Sequence, residues 1–273
     1  MHWIQLNVGL TPRRGSLLPS EGRLFGALEP VIASARGEGL ECFWFVRKDP
    51  ALRLRFGGRT LPSDLRARLG ATLATLEDEG VVSTVFSSVY EPETTLFGGR
   101  AGMDLVHRHF DLDTAAWMTW ARMQRAQAFA FSSTVLTLAV MVDRVERSVA
   151  ERGEIWDVWA SLRRTYGEPS DPLQVPAIGL RQLAAVGGPR ARPVVEAYAK
   201  TNASLAADLD ALWRAGQLRV GRRGLMSTLA AFHWNRQRIG HTTMARLAHA
   251  MATHYEPEHY EPKGGSLQAG ATA

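Results

Sequence analysis

The first ninety residues switch between two periodicities in a fixed order, and that order restricts the fold more than any other feature of the chain. "WIQLNVG" (3–9) alternates as a strand, and 20–35 carries the spacing of an amphipathic helix opened by Ser20. "CFWFVRK" (42–48) and "LRLRFGG" (52–58) read as two strands joined by a turn around Asp49-Pro50. A helix follows over 62–80, starting near Pro62-Ser63 and stopped by Gly80, and "VVSTVFSSVY" (81–90) is a fourth strand. The order β-α-β-β-α-β predicts a ferredoxin-like unit, a four-stranded antiparallel sheet with its helices on one face.

Beyond Gly99 the pattern is helical. Helices are expected over 100–126, 126–150, 154–166 and 192–215, with Gly- and Pro-marked loops at 165–175 and 187–193. Residues 222–252 read as two further helices broken near Gly240, and the tail "HYEPEHYEPKGGSLQAGATA" is small and polar from about 256. The expected class is α+β: a ferredoxin-like unit over 1–98, a mostly helical part of the same catalytic domain over 99–255, and a flexible tail over 256–273.

Charge and cysteine content exclude several functional classes. Lys+Arg 32 against Asp+Glu 27 gives a net +5, spread along the chain and not gathered into a nucleic-acid-binding arm. The single Cys42, inside the apolar strand pattern "ECFWFV", rules out an internal disulfide framework or a multi-cysteine zinc site and fits a reducing compartment. No secretion signal opens "MHWIQLNVG", and the uncharged stretch 126–142, with Ser132, Ser133, Thr134 and Thr137, is short for a membrane span. The expectation is a cytoplasmic protein with neither nucleic acid nor membrane as a partner.

Motifs for prosthetic chemistry are missing. His107 and His109 are two apart, a spacing that points them to different sides of a helix, and neither HExxH, GxSxG nor a Walker loop occurs. No metal or cofactor is therefore expected, and the available chemistry is that of Arg, Glu and His. In "LRLRFGG", Arg53 and Arg55 share one sheet face, about 7 Å apart, either as a solvated face or as an anion clamp. In "YEPETTLFGG" (90–99), Glu91 and Glu93 mark either a strand end or a catalytic corner. In "FHWNR" (232–236), His233, Asn235 and Arg236 interrupt an apolar helical segment, as core hydrogen-bonders or as part of a site.

Taken as a set, "WIQLNVG", "FWFVRKDPALRLRF", "VYEPETTLFGG", "GMDLVHRHFDLDT" and "FHWNR" resemble the SpaB-like C-terminal domain of lantibiotic dehydratases, and most of all its stand-alone relatives in thiopeptide biosynthesis. The resemblance implies an enzyme acting on a ribosomally made precursor peptide with a leader, alongside other biosynthetic enzymes. Lanthipeptide members eliminate glutamate from glutamylated Ser or Thr. The thiopeptide relatives join two dehydroalanines in a formal [4+2] aza-cycloaddition and expel water and leader to leave a pyridine.

The departures from the eliminase pattern favour the second chemistry. Arg53 and Arg55 match the two arginines of the eliminase D-P-x-x-H-L-R-L-R motif, but "DPALRLR" is one residue short and lacks its histidine. Glu93 matches the glutamate of E-x-x-R-Y-G-G, whereas Leu96 stands in place of its arginine, removing an ion pair worth ~2–4 kcal/mol. Ala231 falls where the late eliminase histidine is expected, and His233 matches the pyridine-forming pattern. The resemblance thus implies a pyridine synthase in which Tyr90, Glu93 and His233 catalyse proton transfer. Arg53, Arg55, Leu96, Phe97, Trp234, Asn235 and Arg236 would bind the peptide, with a separate leader groove on a strand edge or helix of the first unit. The alternatives are a glutamate eliminase and a non-catalytic leader-binding scaffold.

Overall fold

The computed structural model describes residues 1–125, 132–149, 151–173 and 177–256. Part of the helix expected over 126–150 and the tail beyond 256 lie outside the described residues. Among the described residues four strands and eight helices are formed: β1 (His2–Leu10), α1 (Leu18–Gly37), β2 (Cys42–Lys48), β3 (Ala51–Gly58), α2 (Leu65–Asp78) and β4 (Val82–Ser88), then α3 (Arg100–Arg125), α4 (Ser133–Ser148), α5 (Arg152–Tyr166), α6 (Leu180–Arg214), α7 (Arg222–Arg236) and α8 (His241–His254). The protein is α+β, a four-stranded antiparallel sheet with helices followed by a largely helical half.

The strands lie in the order β2-β3-β1-β4. Period-two alternation separates two faces of this sheet. Ile4, Leu6, Val8, Phe43, Phe45, Leu52, Leu54 and Phe56 form a core with Leu24, Phe25, Leu28 and Ile32 of α1 and Leu65, Leu69, Leu73 and Leu76 of α2. The other face carries Cys42, Trp44 and Val46, which enter a second core with α3, α4, α5, α7 and α8. α3 serves both cores: Phe110 packs on Trp44, and Trp117 packs edge-on to Phe25 and Phe45.

The loop expected at 187–193 is instead a bend within α6, which continues through Pro189 and Pro193. Gly188, at φ 57 and ψ −153, takes the backbone out of helical geometry for a single residue, and Pro189 just after that break opens a new first turn, where it has no intrahelical bond to lose. Among the described residues no helix is long and apolar enough to cross a membrane.

The two halves are pinned by buried charge. Glu21 of α1 is ion-paired with both Arg47 of β2 and Arg238 beyond α7, and Arg47 Nη2 donates to the Arg236 carbonyl at 2.9 Å. That carbonyl lies in the last turn of α7, where the helix presents unpaired acceptors and negative potential.

Candidate active site

Strand register builds the site's floor. On the face turned toward the helical half, pairing sets Val46, Arg53, Asn7 and Phe86 in one row and Trp44, Arg55, Gln5 and Ser88 in the next. α3 and α7 pack on β2, whereas the β4 end of the face is open and Phe86 is 50% exposed.

Arg55 is the best-held group on this floor. Its guanidinium carbon lies 4.2 Å from the Trp44 ring centroid and 4.3 Å from that of Tyr90, a two-sided cation–π arrangement. Nε donates to Gln5 Oε1 at 2.7 Å, and Gln5 Nε2 in turn donates to Ser88 Oγ at 2.6 Å, which also accepts from Asn7 Nδ2. Burial brings Arg55 down to about 10, so it remains a cation at neutral pH.

Tyr90, just past β4, stands over Arg55, and its hydroxyl is 2.8 Å from Nε2 of His107 on α3. Trp3 closes the group, with ring centroids 4.9 Å from Tyr90 and 4.6 Å from His107. Gly57 makes room for that indole: a Cβ there would lie 2.6 Å from the Trp3 ring. Burial pushes the Tyr90 phenol up and pulls His107 down to about 4, so the pair is neutral on both sides at pH 7.

A cleft of about 250 Å³ opens beside this group. Lys48, Arg53 and Arg55 line it from the sheet, Glu93 from the loop after β4, and Ala231, Phe232 and Asn235 from α7. Arg47 also borders it, but its guanidinium is committed to Glu21 and to the Arg236 carbonyl. The cleft's cations can therefore stabilise developing negative charge, and Glu93 can exchange protons there.

The structure gathers Arg53, Arg55, Glu93 and Asn235 around one cleft and sets Tyr90 beside them through Arg55. Leu96 and Phe97 are placed elsewhere. Leu96 sits on a turn, 47% exposed, and Phe97 is buried against Phe110 and Phe232. Trp234 is fully buried and packs on Tyr166. Helical geometry divides "FHWNR", since residues one apart point 100° from each other: Phe232 and Asn235 face the cleft, while His233 and Arg236 turn into the interior.

There, Asp113 of α3 receives His233 Nδ1 at 3.0 Å, Arg236 Nε at 2.7 Å and Arg144 Nη2 at 2.7 Å. All four side chains are essentially inaccessible to solvent. Burial pulls His233 down to about 4 against the opposing pull of Asp113, so the neutral ring donates its Nδ1 proton to the carboxylate. Burial would raise the Asp113 carboxyl, but His233, Arg236 and Arg144 together hold it well below the usual range.

Two residues of the site, His107 and Lys48, were not singled out from sequence as site residues. The signal for His107 was its place on the apolar stripe of α3, with Met103, Val106 and Phe110, where a polar residue needs a buried partner. Lys48 carried no comparable signal at its strand end. Among the described residues no group of three or more His, Cys, Asp or Glu is placed to hold a metal ion.

A family model described as lantibiotic biosynthesis dehydratase C-term matches residues 3–255. Among curated proteins none matches. Among solved structures, the chain is similar to the tRNA-dependent lantibiotic dehydratase MibB from Microbispora sp. 107891, with TM-score 0.60 and 16% identity over 90% of this chain and 28% of that one. It is similar to the pyridine synthase TbtD from thiomuracin biosynthesis, with TM-score 0.60 and 15% identity over 93% of this chain and 98% of that one. It is also similar to TsrL, with TM-score 0.54 and 17% identity over 93% and 95% of the two chains. The chain thus spans little more than a quarter of the dehydratase, and at these identities the likeness establishes a shared fold.

Proposed function

The chain belongs to the lantibiotic biosynthesis dehydratase C-terminal family, and from that premise we propose that it is a thiopeptide macrocyclase, a pyridine synthase acting on a leader-bearing ribosomal peptide. In this reading it joins two dehydroalanines by formal [4+2] aza-cycloaddition, with loss of water and leader, in the cytoplasm and without a metal or redox cofactor. The first unit is read as ferredoxin-like, for which the strand order β2-β3-β1-β4 is the support.

One observation supports the reading: the cleft gathers Arg53, Arg55 and Glu93 with Tyr90 against Arg55 beside it, and Ala231 offers it a methyl group where the resemblance expects an eliminase histidine. Glu93 takes the amide N–H proton as Tyr90 protonates the carbonyl oxygen, giving the imidic acid. Later a proton delivered from the Tyr90 side lets the ring hydroxyl leave as water. Arg53 and Arg55 hold the peptide carbonyls and the developing oxyanion. Binding both alkenes of one peptide side by side supplies much of the acceleration, oriented reactions gaining ~7–11 kcal/mol. His233 contributes by fixing α7 on Asp113.

Glutamate elimination is the second reading, favoured by the convergence of Lys48, Arg53 and Arg55 on one small cleft, which suits a glutamyl carboxylate. Mass spectrometry separates the two. Incubation with a leader-bearing, azole-containing peptide that holds at least two dehydroalanines is expected to release leader and water and leave a macrocycle with pyridine absorbance. An unchanged mass there, with loss of glutamyl adducts from a glutamylated peptide, would establish elimination instead. Peptide binding with neither reaction, unaffected by Glu93→Gln, would leave the scaffold role.

A further inference from the structure

His107 joins the Tyr90 hydroxyl to a groove behind it. Its Nε2 meets the Tyr90 hydroxyl at 2.8 Å, and the same residue lines a groove of about 540 Å³, none of whose walls belong to the front cleft. That groove lies between the β2–β3 end of the sheet, α3 and α6, and Arg100, Asp104, Asp111 and Ser204 are among its walls. Among the described residues the Tyr90 hydroxyl has His107 as its single hydrogen-bond partner.

In the functional reading above, peptide bound across the front cleft also covers Tyr90, which stands against Arg55 beside it. Trp3, Trp44 and Arg55 close the remaining sides of the phenol. A tyrosine that has given its proton to substrate must then be refilled from behind. We propose that His107 is a proton relay for Tyr90, fed from the rear groove; this rests on the functional reading above. As Tyr90 passes its hydroxyl proton to the substrate oxygen, His107 gives the Nε2 proton to the phenolate, and Nδ1 takes one from groove water. One proton enters the ring as one leaves it, and the ring ends in its other neutral tautomer. The proton removed from the peptide amide leaves separately through Glu93.

Neutral imidazole suits this task because each transfer begins and ends on an uncharged ring, with no charge to desolvate in an aromatic surround. Arg55 in front and the N-terminal amino group oppose a lasting imidazolium, and the rear groove sets Asp104 and Asp111 beside Arg59, Arg100 and Arg108.

The test compares wild type, His107→Ala and His107→Gln in single-turnover reactions on the dehydroalanine peptide, with peptide affinity and urea midpoint measured alongside. Both variants are expected to react about 100-fold more slowly, with affinity close to wild type. Imidazoles added to His107→Ala should restore the rate in an order that follows their pKa, since the open groove admits them to the vacated space. A variant as fast as wild type, or a loss that no imidazole restores, overturns the relay. In histidine-labelled protein without substrate, Tyr90→Phe should displace the His107 Nε2 resonance, and an unmoved resonance overturns the pairing. A wild type silent on the peptide sinks the functional reading, and the relay's catalytic role with it, while the resonance still reports the pairing.

Discussion

The Asn235 amide grips Arg47 by both of its backbone groups, accepting from the N–H at 2.7 Å and donating to the C=O at 2.8 Å. An amide side chain thereby acts as one more residue of sheet along the outer edge of β2. Asp111 of α3 does half as much at the other end of the strand, accepting from Phe43 N–H at 2.7 Å. Edge strands expose unpaired backbone groups, and here two helices cap one such edge with side chains. Asn235→Ala leaves a part-buried N–H and C=O unpaired, so stability is expected to fall by about 2–3 kcal/mol in urea denaturation. A loss under 0.5 kcal/mol would mean that water replaces the amide there.

Among the described residues Asp113 is the single carboxylate ion-paired with Arg144, Arg236 and His233, all of them fully buried. Asp113→Asn keeps the shape but strands two guanidinium charges. Breaking a buried pair by removing one partner costs about 3–5 kcal/mol. The variant should be largely unfolded or insoluble at 37 °C, and a thermal melt within 2 °C of wild type, on the scale of well under ~1 kcal/mol, would refute that account.

Acid should weaken the fold earlier than carboxylates alone would cause. Burial holds His107 and His233 down at about 4 and His109 well below its ordinary value, against ~6.5 in the unfolded chain. Between those values the unfolded chain binds protons that the folded one refuses, so stability is full above pH ~7 and falls as pH drops toward 4. Each histidine contributes up to ~1.4 kcal/mol per pH unit. Asp113 acts in the same direction lower down, losing its contribution below pH ~4. Urea midpoints from pH 8 to 5 check this, and a flat profile would show that the histidines charge without unfolding.

The sheet unit was legible because alternation writes each strand's two faces directly into the sequence. Arg53 and Arg55 opposite Leu52 and Leu54 announced both core and cleft floor. The helix α6 was less legible, since Pro189 and Pro193 read as breakers until Gly188 is known to bend the axis just before them. The division of "FHWNR" depended on the partner of His233, an aspartate 120 residues earlier, which no local pattern discloses. Leu96 and Phe97 shared an apolar signature, yet only one of them is buried, because the turn between Glu93 and Gly99 aims neighbouring residues apart.

Arg55→Lys tests the stacked guanidinium. Lysine keeps the charge but loses the planar group that sits in the corner formed by the Trp44 and Tyr90 rings and donates to Gln5. We expect the tyrosine to lose its fixed position, kcat to fall at least 10-fold and stability to fall by about 1–2 kcal/mol. Lysine matching arginine in kcat would mean that charge alone suffices.

The cations of the cleft separate the two functional readings quantitatively. In cyclisation, Lys48 and Arg53 meet neutral carbonyls and an oxyanion that develops only as bonds change, so Lys48→Gln and Arg53→Gln each remove one hydrogen bond with a single charged partner, about 1.5 kcal/mol. That predicts a fall in kcat/KM of about 10-fold each, with little dependence on salt. In elimination the same two residues would meet a full carboxylate, and truncating one side of such a pair costs about 2–4 kcal/mol, or roughly 30- to 1000-fold. Measuring kcat/KM for both variants on whichever peptide the wild type converts therefore reports the charge of the group bound. A small, salt-insensitive loss supports the cyclase, and a large loss that shrinks as ionic strength rises identifies an anionic leaving group in the cleft.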